Sequence, residues 1–294
     1  MTLKEKFMEY DKKIPVQTIE LSGGRFAYRY YKNPSPVVDV TIVVLVGGTG
    51  AGDGFFYMYD QLFNNYSFIS FNYPKDFKTN NDLADAIAEL IQKLQVQNVY
   101  LLGQSYGGLL AQIIAKRHPE KIKGMILSGT ASLSGNINFE GMCNIVDMIH
   151  PKKIAKNIKM DKRLPMFLLF PLLKMMCKKK FPDKNSGEVF EEILDICKPT
   201  LTGDYLVHMD TLLGDLGTEF GKHTPKDFEK YKDEVLIIFS KTDQSFCENL
   251  KEALVQIMPN PKVVEDLPGG HLAAMISFEE YSRVVSQFLL ERNT

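Results

Sequence analysis

The chain has 294 residues, 45% of them hydrophobic, and a formal net charge of −1 at pH 7. This length and apolar content suffice for one large α/β domain, or for a domain with an insertion, around a full core. The near-neutral charge argues against nucleic acid as the main partner, and residues 1–7 hold no apolar run of the kind found in signal peptides.

Strand patterns recur through the first half of the chain, where apolar residues alternate or run together. They lie at residues 17–32 as a β-hairpin, then at 41–46, 66–71, 98–102 and 122–127. A helix is predicted after residue 80, where apolar residues recur at helical spacing and either Asn81 or Asp82 can cap the first turn. A second helix pattern follows the strand at 98–102.

The alternation stops between about Ala131 and Lys226, a stretch with helical patches such as residues 188–197 and no clear strand. It then resumes to the end of the chain. The resumed elements are a strand from Val235, a helix at 247–257, a strand from Lys262 and a last helix at 278–290.

Strands that alternate with helices predict an α/β fold with a doubly wound, mainly parallel sheet. We expect residues 1–130 and 227–294 to form this core. The interruption, residues 131–226, is then an inserted helical cap, or lid.

Within the lid, residues 164–177 are strongly apolar. With about 14 residues, Lys174 and two prolines, this segment is too short and too broken to span a bilayer. The lysines at 178–180 are interpreted as a solvated helix end rather than as a site for an anionic surface. We expect the segment to cover the active site and to present Met and Leu side chains to an apolar substrate. The alternative, a lid helix without ligand contact, is left open.

The most informative stretch is residues 98–110, which reads as an apolar strand, a Gly-x-Ser-x-Gly turn and an apolar helix. This order is typical of a nucleophile elbow, in which the serine stands on a sharp turn above the sheet. Gly103 and Gly107 allow the tight backbone path. Ser105 is therefore the candidate nucleophile, although a glycine-flanked serine in an ordinary turn has the same pattern.

A serine nucleophile needs a base, and five histidines are present: His118, His150, His208, His223 and His271. His271 is preferred because it follows a strand and a glycine-rich loop, from which it can reach over the sheet. The other four are expected to be surface or capping residues. A capping role for His271 is the alternative.

The base in turn needs an acid, which in this chain order lies between the serine and the histidine. Asp243 stands at the carboxyl end of the uncharged strand 235–240, so it is the favoured acid, with capping of the next helix as the alternative. Asp233 and Asp266 lie at the wrong end of a strand or inside one.

An oxyanion hole needs two backbone donors. One is expected to be the N–H of Tyr106, directly after the nucleophile. The other should come from the glycine-rich loop at residues 47–54, where we assign Thr49 with Gly48 as the alternate. This loop fits neither a P-loop nor the Gly-x-Gly-x-x-Gly fingerprint, which disfavours a nucleotide-binding enzyme.

The cysteines indicate neither a disulfide framework nor a metal site. No two cysteines form a Cys-x-x-Cys pair, and none pairs with a histidine at a metal-binding spacing. The sequence also contains no His-Glu-x-x-His motif. The four cysteines are Cys143, Cys177, Cys197 and Cys247. We expect free thiols in a reducing compartment, hence a cytoplasmic protein that uses no metal and no other cofactor.

With the elbow, Asp243 and His271 in this order, nearly the whole chain resembles the α/β-hydrolase superfamily. Short motifs are similar to the maspardin-like branch. They are Ile14-Pro15-Val16, Phe55-Phe56, Phe71-Asn72-Tyr73-Pro74, Asp243-Gln244-Ser245 and Gly269-Gly270. Members of that branch are described as doubtful enzymes because a residue other than His can occupy the base position. The presence of His271 departs from that pattern and favours catalysis.

The residues and the resemblance together predict a serine hydrolase, an esterase acting on small or medium acyl esters through an acyl-enzyme. A peptidase or amidase with the same residues is an alternative, in which a lid acid such as Glu191 or Glu192 binds a peptide amine. A binding or adaptor protein with little activity is the third interpretation. The expected partner is a small acyl substrate, with no nucleic acid and no integral membrane segment.

Overall fold

We describe the protein from a computed structural model, which covers residues 2–134, 149–178, 184–243, 245–246 and 248–293, without the side chains of 176–178 and 184–186. Three residues named above, Cys143, Gln244 and Cys247, therefore lie outside the described part of the chain. The side chain of Cys177 lies outside it as well. The side chains of the lysines at 178–180 also lie outside it.

Eight strands form one sheet in the described part of the chain. They are β1 (Gln17–Leu21), β2 (Gly24–Tyr31), β3 (Thr41–Leu45), β4 (Ser67–Ser70), β5 (Val99–Gln104), β6 (Gly124–Ser128), β7 (Val235–Ile238) and β8 (Lys262–Val264). Their order in the sheet is β1-β2-β4-β3-β5-β6-β7-β8. The pairs β1–β2 and β2–β4 are antiparallel and the others are parallel, which confirms the predicted sheet.

The central strands β3, β5, β6 and β7 are buried along their whole length. Parallel strands covered on both faces have this uninterrupted apolar character. In the register of the sheet, Leu45 pairs with Gly103 and Ser128 pairs with Ile238. The carboxyl ends of the four strands therefore meet at one edge of the sheet, and the loops that follow them lie side by side.

The helices flank the sheet and fill the interval between β6 and β7. Those of the described residues are α1 (Leu3–Lys13), α2 (Asn80–Lys93), α3 (Tyr106–Arg117), α4 (Pro151–Arg163), α5 (Met166–Lys178), α6 (Lys184–Cys197), α7 (Gly203–Asp215), α8 (Glu248–Ile257), α9 (Ala273–Ile276) and α10 (Phe278–Asn293). Within the described part, α4 to α7 lie between β6 and β7, where α4 packs on α7 and α5 on α6. The exact division into core and cap stays a prediction.

The predicted cap of α2 is wrong by two or three residues. Thr79 is the N-cap, and its Oγ1 accepts a hydrogen bond of 3.1 Å from the backbone N–H of Asp82. Asn80 begins the helix, and its buried side chain accepts a 2.7 Å bond from the Tyr106 hydroxyl. Threonine is a somewhat weaker N-cap than Asn or Asp, and the observed register places Asn80 where it also bonds to Asp215 and to the carbonyl oxygen of Leu212.

No helix among the described residues has the length and apolar content that crossing a membrane requires.

Candidate active site

Ser105, His271 and Asp243 form a continuous chain of hydrogen bonds. His271 Nε2 lies 3.0 Å from Ser105 Oγ, and His271 Nδ1 lies 3.0 Å from Asp243 Oδ2. The Asp243 side chain is 2% exposed and that of His271 is 17% exposed. The three residues follow β5, β7 and β8, so the parallel sheet brings together side chains that are up to 166 positions apart in the chain.

The sharp turn at Ser105 explains the two glycines of the motif. Ser105 has φ 55° and ψ −120°, a strained conformation for a residue with a side chain. A Cβ on Gly107 would lie 2.0 Å from the carbonyl oxygen of Leu45, and one on Gly103 would lie 2.5 Å from that of Gly107. Only glycine at both positions allows α3 to start so close to β3 and β5.

Two polar side chains hold the elbow and the histidine loop together. Gln104 Nε2 donates to the carbonyl oxygen of His271 at 3.1 Å, and Thr130 Oγ1 donates to the carbonyl oxygen of Ser105 at 2.7 Å. Neither residue was identified from the sequence. Gln104 had a signal, since it is the variable residue directly before the serine of the motif, whereas Thr130 had none.

The environment of Asp243 keeps its carboxyl group ionised. Burial by itself raises the pKa of Asp243, but the hydrogen bond and the attraction from His271 outweigh it, helped by the hydrogen bond from Ser245, and the net pKa is lowered. Asp243 Oδ1 accepts the backbone N–H of Ser245 at 2.8 Å. Asp243 thus also stabilises the turn that follows it. This bond is not a cap of the next helix, because α8 begins only at Glu248.

His271 lies in a short 3-10 turn, Gly270–Leu272, directly before α9. Gly269 has φ 107° and precedes this turn, a backbone conformation that favours glycine. The N–H of Gly270 donates to Ser240 Oγ at 3.0 Å, and the ring of Phe246 lies 5.5 Å from that of His271, centroid to centroid. These contacts set the position of the imidazole between serine and aspartate.

The expected oxyanion donors lie next to Ser105. Tyr106 is the first residue of α3, so its N–H belongs to the helix N-terminus, where backbone donors are unpaired. Gly48 and Thr49 both line the cavity in front of Ser105, and a Cβ on Gly47 would lie 3.4 Å from Ser105 Cβ. The glycine loop therefore packs against Ser105, and the oxyanion role of Tyr106 and of Thr49 or Gly48 stays a prediction.

A cavity of about 360 Å³ lies between Ser105 and the helices α4 to α7. Its walls are mainly Leu, Ile, Met and Phe side chains. Of the predicted apolar segment, Leu169, Leu172 and Leu173 line the cavity, whereas Met175 is half exposed. The expected methionines of the wall come instead from other elements, for example Met209 of α7.

Two aspartates interrupt this apolar wall. Asp161 of α4 and Asp210 of α7 both line the cavity, and their carboxyl groups share a hydrogen bond. Burial, together with the charge of Asp161, raises the pKa of Asp210 to about 7. The predicted lid acids, Glu191 and Glu192, belong to α6 and do not line the cavity. No sequence signal pointed to Asp161, because α4 reads as a basic helix and its one acid lies on the inner face.

Two of the four remaining histidines lie at helix ends, and the other two are buried. His118 ends α3 and binds Asp85 at 2.6 Å, and His150 accepts the N–H of Lys152 at the start of α4, as expected of capping residues. His208 and His223 are buried, so the expectation of surface or capping positions is wrong for them. His208 is a buried residue of α7, and His223 forms an isolated bridge with Ser134; the weak periodicity of this part of the sequence did not indicate either position.

Comparison with known proteins gives three kinds of similarity. The family model described as "alpha/beta hydrolase fold" matches residues 41–277. A proline iminopeptidase of Lactobacillus acidophilus is 34% identical over 134 residues, which is 39% of this chain and 45% of that protein. The chain therefore matches less than half the length of this relative.

Two solved structures are similar over almost their whole length. The esterase EaEST of Exiguobacterium antarcticum has a TM-score of 0.71 at 18% identity and covers 92% of this chain and 98% of its own. The enol-lactonase of Burkholderia xenovorans LB400 has a TM-score of 0.70 at 15% identity, and the match covers 93% of this chain and 100% of the lactonase chain. At these identities the likeness is one of fold.

Proposed function

The chain belongs to the alpha/beta hydrolase family, and on that premise we propose that it is a serine hydrolase that cleaves carboxylic esters of small or medium acyl groups. The observation that carries the proposal is the hydrogen-bond chain from Ser105 through His271 to Asp243. Ser105, at the end of this series of hydrogen bonds, lines an apolar cavity, and such a cavity suits an uncharged acyl group.

In the proposed reaction, Ser105 Oγ attacks the ester carbonyl while His271 Nε2 takes the hydroxyl proton. Asp243 orients the imidazole through Nδ1 and stabilises the imidazolium. The N–H groups of Tyr106 and of Thr49, or alternatively Gly48, stabilise the oxyanion. The C–O bond then breaks, the alcohol leaves with the proton from His271, and a water deprotonated by His271 releases the acid and restores Ser105.

The test compares the wild type with Ser105→Ala, using a fluorophosphonate probe and a series of p-nitrophenyl acyl esters. We expect labelling of the wild type only, and a loss of turnover in the variant of roughly three orders of magnitude or more. Ser282→Ala is the matched control, because the buried Ser282 hydroxyl has no hydrogen-bond partner among the described residues. Wild-type rates in the Ser105 variant would exclude Ser105 as the nucleophile.

A peptidase that removes N-terminal residues is the second candidate, supported by the acid pair in the cavity. A pair of carboxyl groups in the wall of the same cavity as Ser105 suits the ammonium group of a peptide N-terminus, and one similar relative is a proline iminopeptidase. We expect Asp161→Asn and Asp210→Asn to lower kcat/KM for aminoacyl p-nitroanilides roughly 30-fold, as the loss of about 2 kcal/mol predicts, if the peptidase function holds. Unchanged anilide turnover would remove this candidate.

The maspardin-like motifs support a third candidate, a binding protein with little activity. The hydrogen bond of 3.0 Å between His271 and Ser105 argues for catalysis instead. The probe experiment distinguishes them, since a folded wild type without labelling would favour the binding function. For either function we propose a cytoplasmic setting, because the free, buried thiol of Cys197 suits a reducing compartment.

A further inference from the structure

The outward face of α5 is apolar and exposed to solvent. Phe167 is 75% exposed, Leu168 51% and Met175 50%, and Pro171 between them is exposed as well. Positions 168, 171 and 175 follow a spacing of three and four residues, so these side chains share one face of the helix. Contiguous exposed apolar side chains of this size mark an interaction site more often than an ordinary surface.

The outward face of α4 is basic. Lys152, Lys156, Lys159 and Arg163 are exposed and follow the spacing i, i+4, i+7, i+11, which places them in one stripe along the helix. None of these four side chains has an ion-pair partner within the described part of the chain. Asp161, the only acid of α4, is buried on the opposite side.

Both outward faces point away from the same cavity. Asn157 and Asp161 on the inner side of α4 line it, as do Leu169 and Leu173 on the inner side of α5. Only two residues separate the helices, Leu164 and Pro165. The stripe of cations ends at Arg163 and the apolar face begins at Phe167, so the two surfaces are near each other at the junction of the helices, on the side away from the cavity. We call the eight side chains together the lid surface: Lys152, Lys156, Lys159, Arg163, Phe167, Leu168, Pro171 and Met175.

We propose that the lid surface docks on an anionic lipid bilayer. The four cations would lie at the level of the lipid phosphates, and the exposed apolar side chains of α5 would enter the boundary between headgroups and acyl chains. Charge complementarity selects this partner. A row of cations without an ion-pair partner among the described residues, beside outward-pointing apolar side chains, fits a planar anionic surface, whereas an acidic helix or loop would need a groove.

Lys174 is excluded from the lid surface although it belongs to α5. Its Nζ binds Asp195 of α6 at 2.8 Å and lies over the ring of Phe170. This ion pair also neutralises an acid on the neighbouring helix.

Docking as proposed depends on the outer side of the lid alone and does not require that the protein hydrolyse esters.

The experiment is co-sedimentation of the full-length protein with vesicles. We expect binding to vesicles of phosphatidylcholine with phosphatidylglycerol, little binding to phosphatidylcholine alone, and release by salt. Replacing two cations, with Lys156→Gln and Lys159→Gln together, should lower partitioning roughly 30-fold, since each basic side chain contributes about a five-fold gain near an anionic surface. Phe167→Ser with Leu168→Ser should weaken binding in the same assay.

Matched controls lie outside the lid. Lys4→Gln with Lys6→Gln removes two exposed cations from α1, and Met8→Ser with Val37→Ser removes two exposed apolar side chains. Both pairs should bind vesicles like the wild type, and thermal unfolding should be the same for all variants.

The proposal is overturned if the wild type fails to bind anionic vesicles or if control and lid pairs lose binding equally. A wild-type dimer that the Phe167 and Leu168 changes dissociate would assign the face to a second copy instead.

Discussion

Individual side chains around Ser105 act through backbone atoms as much as through their reactive groups. Gln104 acts as a positioning residue, because its amide donates to the carbonyl oxygen of His271 at 3.1 Å, although its side chain also reaches the wall of the cavity. Thr130 donates in the same way to the carbonyl oxygen of Ser105. The geometry of Ser105 and His271 thus depends on neighbouring side chains that hold their backbone.

For Gln104→Ala we expect a fall in kcat of about five-fold, the effect of losing one neutral hydrogen bond, with a smaller change in KM for p-nitrophenyl esters. The reason is that His271 loses an anchor, whereas the apolar side chains that form most of the cavity wall are unchanged. Steady-state kinetics on a series of esters measure both constants. Gln97→Ala, at an exposed position, serves as the control, and a change confined to KM would argue against positioning.

At the scale of elements, the contact between α4 and α7 contains a titrating pair. Asp161 and Asp210 come from two helices between β6 and β7, and burial raises the pKa of both. The native protein therefore holds a proton that the unfolded chain releases between its ordinary pKa of 3.8 and about 7. Stability from this pair is present at low pH and is lost as pH rises through that window.

Asp210→Asn should remove this dependence. The amide stays neutral, so we expect the difference in Tm between variant and wild type to grow as pH rises from about 4 to about 7, with the variant more stable above that range. Thermal unfolding followed by circular dichroism across this range measures it. Asp204→Asn, in the first turn of α7, is the control. A constant difference in Tm would show that folding does not raise the pKa of Asp210.

At the scale of the whole molecule, acid sensitivity should come from buried histidines. Burial, with the nearby Lys78 and Lys75, lowers the pKa of His208 to about 4, and Asp76 opposes this only in part. Both ring nitrogens of His208 lack a hydrogen-bond partner among the described residues. The unfolded chain then binds more protons than the native protein between pH about 4 and 6.5, so native stability falls on acidification through that window.

We expect His208→Phe to lose less stability than the wild type between pH 6.5 and about 4. Phenylalanine keeps a ring in the buried position but has no group to protonate. Urea unfolding at several pH values gives the free energy of unfolding for both proteins. His150→Gln, at an exposed cap, should follow the wild type, and parallel curves for His208→Phe would contradict the prediction.

Much of the fold and of the candidate site could be predicted from local pattern. The elbow at Ser105, the apolar strand before Asp243 and the glycine loop before His271 each depend on a few neighbouring residues, and the strand and helix periodicities predicted the sheet. The cap of α2 was misplaced, because Thr79, Asn81 and Asp82 are all good caps and a distant contact of Asn80 decides between them.

By itself, the sequence determined most of the segments that form strands and helices, and it identified the candidates for a nucleophile, a base and an acid. Backbone sterics and hydrophobic spacing act over a few residues, so they are legible along the chain. Only the tertiary structure decided that Gln104 holds His271, that Asp161 meets Asp210, and which helix faces of the lid line the cavity or meet solvent. Those contacts join residues far apart in sequence, and they depend on how whole elements pack.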